Sequence, residues 1–225
     1  MKNLSHLSYI TAIGVGMVLL MTVGCQQGSV VSTDYAVDPD TAAMRYIESG
    51  HYDQAVEPLK ASVKARPQDP RAYCNLGFVY IDLGRFQEAV GPLKKAIALE
   101  PGLAEAHCNL GIAYIGLDRL TEATASLEEA IRLKPEYAEA QAKLGMTWIM
   151  RGECEKAAES LGQAVRLEPD SAGAHFALGA AHAKLGNVED ALEQYEILKT
   201  LDPAMAGRYL QEYKKQEQLM VSMTP

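Results

Sequence analysis

The strongest constraint on this chain is a 34-residue period that runs through most of its length. Four Leu-Gly pairs, Leu76-Gly77, Leu110-Gly111, Leu144-Gly145 and Leu178-Gly179, each stand 34 residues from the next. Pro67, Pro101, Pro135, Pro169 and Pro203 keep that period, as do Ala55, Ala89, Ala123, Ala157 and Ala191. The segments that begin at Arg71, Glu105, Glu139 and Gly173 align without a gap. Self-similarity at a fixed spacing is the mark of stacked units, none of which can bury its apolar face alone.

Each repeated residue type has a physical task. The Gly of Leu-Gly lets two helices approach closely, and the repeated Ala fits against it. Pro disfavours a helical residue before it and lacks an N–H, so it ends the second helix of a unit and turns the chain into the next. Gly50, Gly84, Gly152 and Gly186 fall in the turn inside each unit, where positive φ is free for glycine. Asp118 holds that place in the third unit, and Asp tolerates it next best.

The aromatic place after Leu-Gly holds Tyr80, Tyr114 and Trp148, then His182, and a large residue of the second helix is Leu59, Leu93, Leu127 and Leu161, then Tyr195. Together these resemble the tetratricopeptide-repeat pattern W-x2-L-G-x2-Y…A-x3-F…P. The resemblance implies an all-α, right-handed solenoid of five helix-turn-helix units, 36–69, 70–103, 104–137, 138–171 and 172–205. A capping helix and tail follow at 206–225, where Tyr209, Leu210, Tyr213, Leu219 and Met220 are spaced for one helical face. A second interaction helix fits the same spacing. The first unit is degenerate, with Ala42-Ala43 for Leu-Gly, as terminal units tend to be. Pro58 and Pro92 fall inside second helices, where each removes a hydrogen bond and favours a bend.

The first 24 residues read as an export signal. Lys2 precedes an uncharged, largely apolar run from about Tyr9 to Val23, shorter than the ~20 residues of a comfortable membrane span. Thr22-Val23-Gly24-Cys25 resembles the lipobox of bacterial lipoproteins, although Leu is usual at the Thr22 place. That resemblance implies cleavage before Cys25, acylation of Cys25, and a tether over 25–35. An uncleaved anchor and a plain secretory signal share the layout. Gln26, rather than Asp, after the cysteine implies an outer-membrane lipoprotein facing the periplasm of a bacterial envelope.

The net charge of −8 argues against a nucleic-acid partner. The sequence has no HExxH, GxSxG or GxxxxGK[ST], so no catalytic residue, cofactor or metal is expected. The four cysteines, Cys25, Cys74, Cys108 and Cys154, lack zinc-site spacing. His107 and His175 take the family's Trp place and His182 its Tyr place, where a satisfied interfacial histidine is expected. Cys74 and Cys108 occupy equivalent places of adjacent units. Neighbouring helices pack about 8–10 Å apart and a disulfide needs Cα atoms within about 7 Å, so two free thiols in the groove are expected.

In tetratricopeptide arrays the first helices line a concave surface, which implies a protein partner bound there. At helical spacing the concave stripe is Met44 and Ile47; Arg71, Cys74, Phe78 and Ile81; Glu105, Cys108, Ile112 and Ile115; then Glu139, Ala142, Met146 and Ile149. An apolar strip of this extent suits an amphipathic helix or an extended apolar segment, with Arg71, Glu105 and Glu139 setting orientation along one edge. Asn75 and Asn109 resemble two rungs of the asparagine ladder with which protein O-GlcNAc transferase holds a peptide backbone; Lys143 and Ala177 come next in line. The Lys/Arg/Asn clamp by which other members hold a C-terminal carboxylate is missing from these places. Two alternatives stand beside binding: the superhelix covers the strip itself, or the array self-associates into a homo-oligomeric scaffold.

Overall fold

A computed structural model describes residues 38–223, with side chains through residue 214; the signal segment, Cys25 and the tether lie outside the described residues. The described residues form one compact unit. Among the described residues there are helices and no strands. Five helix pairs follow in order: α1 (Pro39–Glu48) with α2 (Tyr52–Ala65), α3 (Pro70–Asp82) with α4 (Phe86–Leu99), α5 (Ala104–Gly116) with α6 (Leu120–Leu133), α7 (Ala138–Arg151) with α8 (Cys154–Leu167), and α9 (Ala172–Leu185) with α10 (Val188–Leu201). A last helix, α11 (Pro203–Met223), closes the array. None of the described helices is long and apolar enough to cross a membrane.

Each helix packs on its neighbour in sequence, and successive first helices (α3 on α5, α5 on α7, α7 on α9) also touch one another. No comparable contact links successive second helices. The first helices therefore form the inner layer and the second helices the outer one, as expected of a tetratricopeptide solenoid.

In units two to four the glycine of Leu-Gly meets the leucine of the second helix more closely than the repeated alanine expected against it. Leu93, Leu127 and Leu161 are fully buried, and a Cβ on Gly77, Gly111 or Gly145 would overlap them in turn. The turn glycines have φ of 72°, 68°, 79° and 78°, and Asp118 joins them at 57°. Ala43 is fully buried in the degenerate first unit. Pro58 and Pro92 lie inside α2 and α4, and both helices run through them unbroken. A staple absent from the sequence reading recurs beside the turns. Arg85 and Arg119 stack on Tyr80 and Tyr114, 4.7 and 4.6 Å from the ring centroids, while each pairs with a glutamate, Glu88 and Glu122, at 2.6 Å.

The fifth unit departs from the others. Junctions 66–69, 100–103, 134–137 and 168–171 separate one unit from the next, but a single residue, Asp202, joins α10 to α11. Asp202 caps the new helix by accepting from the Met205 N–H at 2.9 Å, and Pro203 takes the first helical position, where a missing N–H costs nothing. Pro203, read from sequence as a terminator, is thus an initiator, and the capping helix begins at 203 rather than 206. The early start brings Tyr209 against Gly179, into the place that leucine fills in earlier units. The Tyr209 hydroxyl donates to the Ala191 carbonyl at 3.0 Å, and Tyr195 is displaced outward to stack on its ring.

Candidate functional site

Two of the expected groove residues are not in a groove. Cys74 is only 7% exposed and Cys108 is fully buried. Both are free thiols, but the next unit covers each one. The Asn109 amide donates to the Cys74 sulfur at 3.6 Å, and Cys108 lies in one buried cluster with Ala140 and Leu144 of the fourth unit. Burial pushes the two thiols up to about 11 and about 12. The reading of Cys74 and Cys108 as groove-lining thiols is therefore corrected: small side chains at that place let successive inner helices close over them.

The two asparagines serve the same closure. Asn109 is engaged by Cys74, and the Asn75 amide reaches the Met44 sulfur at 4.0 Å, so both rungs tie one unit to the one before. Phe78 is half-buried and meets Tyr52 edge-on, with centroids 6.0 Å apart. Ile47, Ile81, Ile112, Ile115 and Ile149 are half-buried and pack on the core clusters. Met44, Arg71, Glu105 and Glu139 remain exposed, and Met146 is the most open of the three-residue line Phe78, Ile112, Met146, at 46%. Along the first three units the strip is largely sealed by the solenoid.

It opens at the fourth. Between α7, α9 and α11 lies a cleft of about 620 Å³. Ala142, Gly173 and Ala177 are too small to fill it, while Met146, Phe176 and Met205 project an apolar lining over a floor of Leu161 and Ala164. Glu139, Lys143, Glu168 and Arg208 also border it, and none of the four forms an ion pair among the described residues. Glu139 and Met146 were expected here; Gly173, Phe176, Met205 and Arg208 were not. Phe176 could have been found, because it stands one period beyond Ala142, on the line of Cys74 and Cys108. Met205 and Arg208 could not, since the one-residue junction that places them breaks the period.

The histidines behave as interface groups. His107 Nε2 lies 3.1 Å from the Pro101 carbonyl and His175 Nε2 2.9 Å from the Pro169 carbonyl, the same hydrogen bond in two units. A carbonyl only accepts, so Nε2 carries the proton. His175 Nδ1 lies 2.7 Å from Gln194 Oε1, so both ring nitrogens have a partner inside the interface. Among the described residues no three His, Cys, Asp or Glu side chains gather as a metal site would require.

What the cleft offers is apolar surface with single charges of both signs at its margins, on an inner face built from stacked helices. That defines the class: an α-solenoid scaffold for protein partners. Tetratricopeptide-repeat family profiles match residues 151–206 and 104–137, and a TPR-repeat profile matches 44–84 and 79–118, together well over half of the 225 residues. The chain belongs to the tetratricopeptide-repeat family, whose members are typically non-catalytic scaffolds. It is similar to TTC0263, a thermophilic TPR protein of Thermus thermophilus, with 29% identity over 77% of this chain and 96% of that one, and a TM-score of 0.64. It is also similar to MamA, at 28% identity over 75% of this chain and 92% of that one, TM-score 0.63. MamA of Desulfovibrio magneticus RS-1, at 23% identity over 74% and 94% with a TM-score of 0.65, shares the fold. No curated protein matches the chain.

Proposed function

We propose that this chain is a protein-binding scaffold held at a bacterial envelope membrane by a lipid on Cys25, and that it takes an apolar side chain of a partner protein in the cleft of α7, α9 and α11. The observation that carries the binding reading is the cleft of about 620 Å³ lined by Met146, Phe176 and Met205, at the point where the otherwise largely sealed strip opens. Methionine adapts to irregular partners and Phe176 supplies a firm ring. The unpaired Glu139, Lys143, Glu168 and Arg208 would fix the direction of the bound segment more than its affinity. The anchor rests on Lys2, the apolar run and the lipobox-like Thr22-Val23-Gly24-Cys25.

Two experiments test the two halves. Met146→Ser with Phe176→Ser should abolish capture of partners from envelope extracts. Because Phe176 also packs edge-on against Tyr209 at 5.6 Å, Met146→Ser alone, at an exposed side chain, should weaken capture with melting unchanged. Unchanged capture would remove the cleft from the binding reading. Cys25→Ser should move the protein from the membrane to the soluble fraction of the envelope. A variant that is cleaved yet still membrane-bound would end the lipoprotein reading.

A further inference from the structure

The stacking interface between units is only partly closed at the last outer helix, where α11 packs on α10 but leaves its first turns uncovered. In each second helix the first and fifth residues lie under the next unit's first helix: Tyr52 and Val56, Phe86 and Val90, Leu120 and Thr124, Cys154 and Ala158. All eight are buried or half-buried. Tyr52 meets Phe78, Phe86 meets Gly116, and Thr124 accepts from Arg151 at 3.3 Å. On α10 the equivalent pair is Val188 and Leu192, 49% and 43% exposed.

The charges around that pair are also unmatched. Glu88 and Glu122 are each held by an arginine stacked on an aromatic ring. In the fifth unit Asn187 replaces that arginine and His182 the ring, leaving Asp190 at the glutamate's place. Asp190 lies 3.5 Å from His182 Nδ1, which makes no hydrogen bond. Glu189 and Glu193 form no ion pair among the described residues. A recess of about 420 Å³ opens beside Asn187, Val188, Glu189 and Asp190.

We propose that this face of α10 docks an amphipathic helix of a partner protein that carries arginine in its last turn. The molecule holds its own template. Arg151 ends α7, stacks on Trp148 at 4.7 Å, pairs with Glu153 at 2.9 Å and reaches Thr124 on the preceding unit's outer helix. A partner helix whose last turn lies over the start of α10, beside α11 rather than in its place, covers Val188 and Leu192 with its apolar face. Its guanidinium then meets the Asp190 carboxylate and supplies the cation that the fifth unit lacks, at the helix end that favours positive charge. This site is separate from the cleft of α7, α9 and α11 and does not depend on it.

The test uses two capped, fluorescein-labelled helical peptides, one with a leucine face and arginines in its last turn, the other with glutamates in their place. Fluorescence anisotropy is read against the full-length protein. The arginine peptide should bind and weaken with added salt, and the glutamate peptide should not bind. V188S/L192S and E189K/D190K/E193K should each weaken the arginine peptide by about tenfold or more with melting unchanged, since all five side chains are exposed. M146S/F176S should bind it as the parent does. Failure of the parent to bind, or binding unaffected by the α10 substitutions, overturns the proposal. So does loss of binding in M146S/F176S, which would put the peptide in the cleft. If V188S/L192S instead dissolves a homo-oligomer in sedimentation, a second copy covers the face and the partner-helix proposal fails.

Discussion

Asp118 stands where the other four units have glycine and takes φ of 57°, close to the glycines' own values. A short polar side chain tolerates this region, whereas a β-branched one is strained there. Asp118→Val should therefore cost about 1–2 kcal/mol in urea unfolding, and Asp118→Gly nothing. Gly145→Leu should cost about 1–3 kcal/mol or more, because even its Cβ overlaps the buried Leu161. Both positions were legible in the sequence, since a 34-residue period names each place and the chemistry of the place follows. The cysteines were legible as free thiols and misread as accessible, because their cover comes from the unit that follows each, Asn109 over Cys74 and the Ala140–Leu144 stretch over Cys108. Their burial sets a pH dependence. An unfolded thiol near 9 releases its proton while the native thiols keep theirs to about 11 and about 12, so stability falls as pH rises from 9 toward 11. Burial raises Tyr137 and Tyr209 as well, which adds to the fall with the same sign. Urea midpoints at about pH 8 and about pH 10.5 should differ less in the Cys74→Ala/Cys108→Ala variant than in the parent.

At the scale of the element, α11 carries the most information. Its existence and apolar face were readable from Tyr209 and Tyr213; its register was not. Five prolines share one period, and what separates Pro203 from the others is its local context. Asp202 caps the helix from the residue before it, whereas Pro67, Pro101, Pro135 and Pro169 sit in turns. The structural weight then falls on Tyr209. Tyr209→Ala should destabilise the protein by about 3–5 kcal/mol, as loss of a buried aromatic does. Tyr209→Phe should cost about 1 kcal/mol, the value of its hydrogen bond to Ala191. Equal losses in the two variants would mean that the hydroxyl, rather than the ring, holds the cap.

Across the described residues, the substantial contacts between elements are all with near neighbours along the chain. Stability is then a sum of units and the interfaces between them, and opening starts from the ends. Amide exchange should be fastest in α1 and the C-terminal part of α11 and slowest in α5 to α8. Uniform exchange across the array would mean that it unfolds as one block. The fold followed from the period, because a repeat fixes its own stacking. The position of the cleft did not, because it depends on where small residues face one another across three helices, two within the period and one outside it.

The one-residue junction at Asp202 also limits how this gene could grow. A copy of an internal unit inserted upstream arrives with a four-residue junction and meets partners of its own kind on both sides. A copy appended after Leu201 inherits the short junction and meets Tyr209's site already taken. Lineages descended from such a chain could therefore change their number of repeats from within, while the last unit stays last. The same asymmetry gives a designer a place to lengthen the array without disturbing either the cleft or its cap.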